Sequence, residues 1–180
     1  MTPKSISDPR KVINEVWNAL DDLTDPEIPV VTLREMGIIR DVEFVAENSV
    51  AVVITPTYSG CPAMEQINDD VRSTVKALGF QVDVRTQLAP AWTTDWMTDV
   101  AKDKLRAYGI APPNRKCGAP SQQTSVIHFI QKPLSSDEAV ECPHCGSRHT
   151  FESSRFGSTA CKALYKCLDC QEPFDYFKPY

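Results

Sequence analysis

The chain has 180 residues, 42% of them hydrophobic, with 19 basic and 24 acidic side chains. That is enough for one ordinary domain and a small second one, and too apolar for global disorder. The net charge of −5 has the wrong sign for a phosphate-binding surface; Asn114-Arg115-Lys116 is only a short basic cluster.

Residues 1–30 mix apolar with charged side chains and hold no signal-peptide core, and no apolar run is long enough to span a bilayer. The sequence therefore predicts a cytoplasmic protein with no membrane attachment. In a reducing compartment, seven cysteines read as ligands or functional thiols rather than a disulfide framework.

Asp8-Pro9 starts a helix, with Asp8 as cap and Pro9 in the first turn. Val12, Ile13, Val16, Trp17, Leu20 and Leu23 follow at helical spacing, and Asp25-Pro26-Glu27-Ile28-Pro29 breaks the helix. Residues 38–47 and 50–55 read as two strands around a turn at Glu47-Asn48-Ser49. The loop Thr55-Pro56-Thr57-Tyr58-Ser59-Gly60 ends at Cys61-Pro62, where a second helix begins and runs to about Leu78. Its buried stripe is Met64, Ile67, Val71, Val75 and Leu78, and Gly79 suits the left-handed position after it. Residues 80–84 alternate as a third strand. The loop Ala89-Pro90-Ala91-Trp92-Thr93 precedes a third helix, about 95–108, closed by Gly109.

This order predicts an α/β (α+β) domain over 1–110, a small open sheet with three helices. Pro112-Pro113, Pro120, Pro133 and Ser135-Ser136 mark 111–139 as a linker, with Val126–Ile130 a short strand candidate inside it. Residues 140–180 read as a zinc-ribbon-like module. Cys142-Pro143-His144-Cys145 and Cys167-Leu168-Asp169-Cys170 are two Cys-x-x-Cys knuckles. Each turn aims two sulfurs at one point, so together they supply four thiolates to a tetrahedral ion. Structural zinc is the expectation. A rubredoxin-like iron or an iron–sulfur cluster is the rival, since four cysteines exclude neither. Candidate strands at Thr150-Phe151 and Leu164-Tyr165 connect the knuckles. Cys161 is a fifth local thiol, read as a small buried hydrophobe with an additional ligand as the alternative. His144 and His149 are expected at the surface or behind the ligands.

Cys61 stands where a loop meets a helix start, a place that favours a thiolate. It is a candidate ligand or nucleophile, with a buried apolar cysteine as the competing reading. Thr57 and Ser59 add hydroxyls, and Asp25 and Glu27 are expected to approach from the earlier loop. A cysteine nucleophile needs a histidine base, and all three histidines lie at 128 or later. Trp92, Trp96 and Met97 are expected to pack rather than bind ligand. Cys117 has no neighbouring partner in sequence.

Asp25-Pro26-Glu27-Ile28-Pro29 with Met36-Gly37-Ile38-Ile39, the loop Thr55–Pro62, and Pro90–Met97 resemble three ordered motifs of the metal–sulfur cluster assembly factor family. Phe156–Tyr165 and Glu172–Lys178 resemble the tail of accessory D subunits of phenylacetyl-CoA epoxidases. The resemblance covers nearly the whole chain. It implies a bacterial, non-catalytic maturation factor in aerobic phenylacetate breakdown. Cys61 would be the functional thiol, with Asp25, Glu27, Thr57 and Ser59 around it. Zinc would be structural, and iron or an iron–sulfur cluster transient. The implied partners are the iron–sulfur reductase and the diiron oxygenase subunits, with a homodimer also compatible. The family's loop often carries Ser-Pro where this chain has Tyr58-Ser59-Gly60. The rival readings are a scaffold subunit without metal transfer, a nucleic-acid-binding ribbon and an independent cysteine enzyme.

Overall fold

The computed structural model describes residues 8–113 and 139–180. The cluster Asn114-Arg115-Lys116, Cys117 and the strand candidate Val126–Ile130 lie outside the described residues. The chain divides into two compact units. One comprises Met1–Trp92 with Trp96–Ala101, the other Thr93–Asp95 with Lys102–Tyr180.

In the first unit, helix α1 spans Pro9–Leu20, and the Asp8 carboxylate accepts the Arg10 N–H at 3.0 Å. Val12, Val16 and Leu20 form its buried stripe. The acidic loop is ordered by its own side chains. Asp25 Oδ1 accepts the N–H groups of Glu27 (2.7 Å) and Ile28 (3.1 Å). Thr32 and Glu35 then form a reciprocal capping box, with Glu35 Oε2 on the Thr32 N–H and Thr32 Oγ1 on the Glu35 N–H. The turn closes at Gly37, where φ is +69° and an added Cβ would lie 2.9 Å from Trp96. Left-handed backbone and close approach both demand glycine there.

Strand β1 (Ile39–Ala46) pairs antiparallel with β2 (Ser49–Ile54), and β2 pairs parallel with β3 (Gln81–Thr86), in the order β1-β2-β3. The crossover between the parallel strands is helix α2 (Ala63–Ala77). Val42, Val50, Val52, Ile54 and Val84 are buried. Ala51 sits in register between Glu43 and Asp83. Arg85 pairs with Asp83 and reaches across to Glu43 at 2.9 Å, and Ala51 is fully buried. The buried stripe of α2 is Ala63, Ile67, Val71 and Val75; Met64 and Leu78, expected in it, are half-buried. Gly79 has φ +89°, as its place after the helix requires.

Trp92 is buried and donates its indole N–H to the Met36 carbonyl at 3.0 Å; Met97 is also buried. Trp96 carries the Arg40 guanidinium 3.6 Å above its ring. These aromatics pack, as expected. The single helix expected over 95–108 is instead a 3-10 turn, Thr94–Trp96, followed by helix α3, Asp99–Ala107. The Thr98 hydroxyl accepts the Ala101 N–H and caps the second piece, so the helix restarts there.

The second unit holds a four-stranded sheet of β4 (Ile110–Ala111), β5 (Thr150–Ser154), β6 (Lys162–Cys167) and β7 (Pro173–Phe177), ordered β4-β7-β6-β5. The expected strands at Thr150-Phe151 and Leu164-Tyr165 lie in β5 and β6. Strand β7 is hidden in the sequence by Pro173, which reads as a breaker but opens the strand, a position that tolerates it. Ala111, Val140, Ala163, Tyr165, Phe174 and Tyr176 make a small core with Cys142 and Cys167. Among the described residues, no helix is long and apolar enough to cross a membrane.

Candidate metal centre and cysteine loop

The two knuckles converge. The Sγ atoms of Cys142, Cys145, Cys167 and Cys170 lie within 4.8 Å of one another, with Cys142 to Cys170 at 3.8 Å and Cys145 to Cys167 at 3.6 Å. A tetrahedral ion with metal–sulfur bonds of about 2.3 Å sets its sulfurs about 3.8 Å apart. The donor set therefore fits one ion. An iron–sulfur cluster interposes its own iron and sulfide between the thiolates and needs a wider ring.

Backbone geometry makes this convergence. The residue after each knuckle has left-handed φ: Gly146 at +75° and Gln171 at +64°. Gln171 is not glycine, and its side-chain amide is tied to the Leu168 carbonyl at 2.6 Å. Backbone N–H groups then point at sulfur. His144 and Cys145 donate to Cys142, and Asp169 and Cys170 donate to Cys167. The Cys170 N–H, with that of Asp169, lowers the Cys167 thiol to about 7 despite its burial, whereas burial pushes the Cys142 thiol up. Such donors favour the thiolate that a metal requires.

A polar cross-link that local pattern does not reveal joins the knuckles. Asp169 accepts the Ser147 hydroxyl on one oxygen and faces His149 Nδ1 at 3.1 Å on the other. The Ser147 bond, then the His149 bond, lower the Asp169 carboxyl. His149 is thus placed behind the ligands, and His144 is exposed; neither belongs to the ligand group. Cys161 lies outside that group too. It is buried at the start of β6 with its sulfur 3.0 Å from Thr159 Oγ1.

Cys61 occupies the other unit. It is half-buried, its N–H donates to the Tyr58 carbonyl at 3.1 Å, and its carbonyl accepts the Met64 N–H at 3.3 Å. No side chain caps α2, whose N-cap position is Pro62. Earlier in the same loop, Thr55 and Thr57 are buried, and Thr55 Oγ1 has no hydrogen-bond partner among the described residues. Such orphaned hydroxyls are uncommon. Ser59 is exposed. Asp25 is buried and engaged with its own loop, while Glu27 is exposed.

The sheet-and-helix unit with its cysteine loop, followed by a four-thiolate ribbon, defines a class. Residues 13–86 match the family described as "Iron-sulfur cluster assembly protein" and residues 128–178 the "PaaD zinc beta ribbon domain". A solved structure titled "Crystal Structure of Domain of Unknown Function DUF59 from Bacillus anthracis" superposes with TM-score 0.50 at 26% identity, covering 54% of this chain and 93% of its own. A Porphyromonas gingivalis (strain ATCC BAA-308 / W83) protein named "Fe-S protein maturation auxiliary factor" is 33% identical over 51% of this chain and 88% of its own length. The Escherichia coli (strain K12) D subunit of a "Putative 1,2-phenylacetyl-CoA epoxidase" is 47% identical over 92% of both chains. The chain belongs to the family of 1,2-phenylacetyl-CoA epoxidase D subunits.

Proposed function

We propose that this protein is a non-catalytic accessory factor that helps mature a metal centre of a phenylacetyl-CoA epoxidase system in the cytoplasm. The observation that carries the reading is the placement of Cys61. A half-buried thiol stands at the uncapped start of α2, on a loop that also buries an unpartnered Thr55 hydroxyl. Iron or an iron–sulfur fragment is the cargo, with Cys61 as its transient ligand. Zinc is the resident ion of the four-cysteine ribbon, where it has a structural role. The clients are the reductase that carries an iron–sulfur cluster and the diiron oxygenase component.

The test is to express that reductase and oxygenase in cells carrying wild-type, Cys61→Ser or Cys61→Ala protein, then measure iron, sulfide and activity in each purified client. The variants are expected to leave one client at least tenfold poorer in active metal centre, with the variant protein itself present at normal levels. Full metal content and activity in both clients would leave a scaffold role as the better reading.

A further inference from the structure

Four of the eight exposed large apolar side chains among the described residues, Phe151, Phe156, Leu164 and Leu168, lie in the ribbon. Phe156 is the most exposed, at 68%. It is nevertheless held in place. Ser154 Oγ bonds both its N–H and its carbonyl, at 3.3 and 2.8 Å. The next residue, Gly157, donates to the Lys162 carbonyl at 2.9 Å, and an added Cβ there would stand 2.9 Å from Asp175. A fixed, exposed aromatic loses little freedom on binding.

Phe156 borders an open groove of about 430 Å³. Register puts its floor on one face of the sheet, since Glu152 is opposite Tyr165 and Ala163 opposite Tyr176. Two cations line it. The Arg155 side chain is 88% exposed and makes a long ion pair with Glu152, at 3.9 Å. Lys178 Nζ stands 4.9 Å over the Phe156 ring and donates to the Arg155 carbonyl, and it pairs with no carboxylate among the described residues. Glu152 already accepts the Tyr165 hydroxyl at 3.4 Å. With Glu152 set against Arg155, the groove joins an aromatic floor to a surplus of one positive charge, carried by Lys178. Over residues 139–180 as a whole, however, the five cations Arg148, Arg155, Lys162, Lys166 and Lys178 are balanced by Glu141, Glu152, Asp169, Glu172 and Asp175. A balanced module lacks the field that holds a phosphate backbone, but a local excess suits a short acidic segment.

We infer that this groove docks a partner protein through a short acidic segment bearing one aromatic or aliphatic side chain, which sits against Phe156, Tyr165 and Tyr176 while Arg155 and Lys178 take its carboxylates. That the partner is an epoxidase component rests on the function proposed above; the recognition chemistry does not. The probe is a fluorescein-labelled peptide, Glu-Asp-Phe-Asp-Glu, titrated by anisotropy against the full metal-loaded chain, with Lys-Lys-Phe-Lys-Lys as its reversed control. The acidic peptide is expected to bind at least tenfold tighter than the basic one. Its affinity should fall at least tenfold in Phe156→Ala and in Arg155→Glu and stay within twofold in Lys76→Glu, all with metal content unchanged. No binding to wild type, or equal binding to every variant, would overturn the inference. So would a dimer, seen by sedimentation, that the same two substitutions dissolve while peptide binding is absent, because the groove would then hold a second copy. If the peptide binds as expected but purified epoxidase components do not displace it, the maturation reading is weakened and the groove's chemistry stands.

Discussion

The four knuckle cysteines and Cys61 carry the same functional group and are held in opposite ways. Each knuckle sulfur sits in a turn that aims backbone donors at it, and four sulfurs share one point. Around them, among the described residues, lies one small cluster of buried side chains that includes two of the ligands themselves, Cys142 and Cys167, so an ion bound there would contribute stability to the ribbon directly. Cys61 sits on a unit whose sheet and helices already bury Val16, Val52, Ile54, Ile67 and Val71. That core is made of apolar side chains, and among the described residues no metal-ligating cluster lies in it. One site commits its cysteines to shape, and the other keeps a thiol at a helix start, half-buried.

Metal removal should separate the two most sharply. Chelation, or Cys142→Ala, is expected to abolish amide protection across 139–177 while leaving the β1–β3 sheet protected, as read by hydrogen exchange. Structural zinc supplies on the order of 10 kcal/mol in small modules. Loss of protection in both units together would break the distinction. Next in size is the converse change. Ile67→Ala opens the core beneath α2 and should cost the first unit about 2–5 kcal/mol in urea unfolding, with metal content unaltered. The smallest effect concerns Tyr165 on the ribbon floor. Burial, with Glu152 adding to it, raises its hydroxyl to about 12 from 10. A raised acid favours the neutral form in the fold, so this contribution is complete below pH 10 and is lost as pH rises through 12. Melting of the metal-loaded ribbon should therefore fall across about pH 10–12, less steeply in Tyr165→Phe, while the first unit shows no Tyr165-dependent change.

The knuckles were legible because each is local: two-residue spacing fixes the turn, and a hairpin brings the turns together. Helix α1 and the β1–β2 pair were legible from capping and period two. What local pattern hid depends on distant chain. The break between the 3-10 turn and α3 is the exception, since the Thr98 cap that sets it is local. The Trp92 bond to Met36 spans 56 residues. The Asp169 cross-link joins residues 20 and 22 apart in sequence. Asp25 read as chemistry beside a thiol, and its carboxylate also organises its own turn, a second role that an isolated Asp-Pro-Glu string does not reveal.

The two-residue strand β4 has one more consequence. Ile110-Ala111 pairs in parallel with Asp175-Tyr176, so the four-stranded sheet takes in residues from before the first knuckle as well as from after the second. Bringing strands together from distant parts of a chain costs only about 0.6 kcal/mol more in closure entropy for each doubling of the intervening length. A fragment that begins at the first knuckle would lack β4, the strand that pairs with β7 at the edge of this sheet.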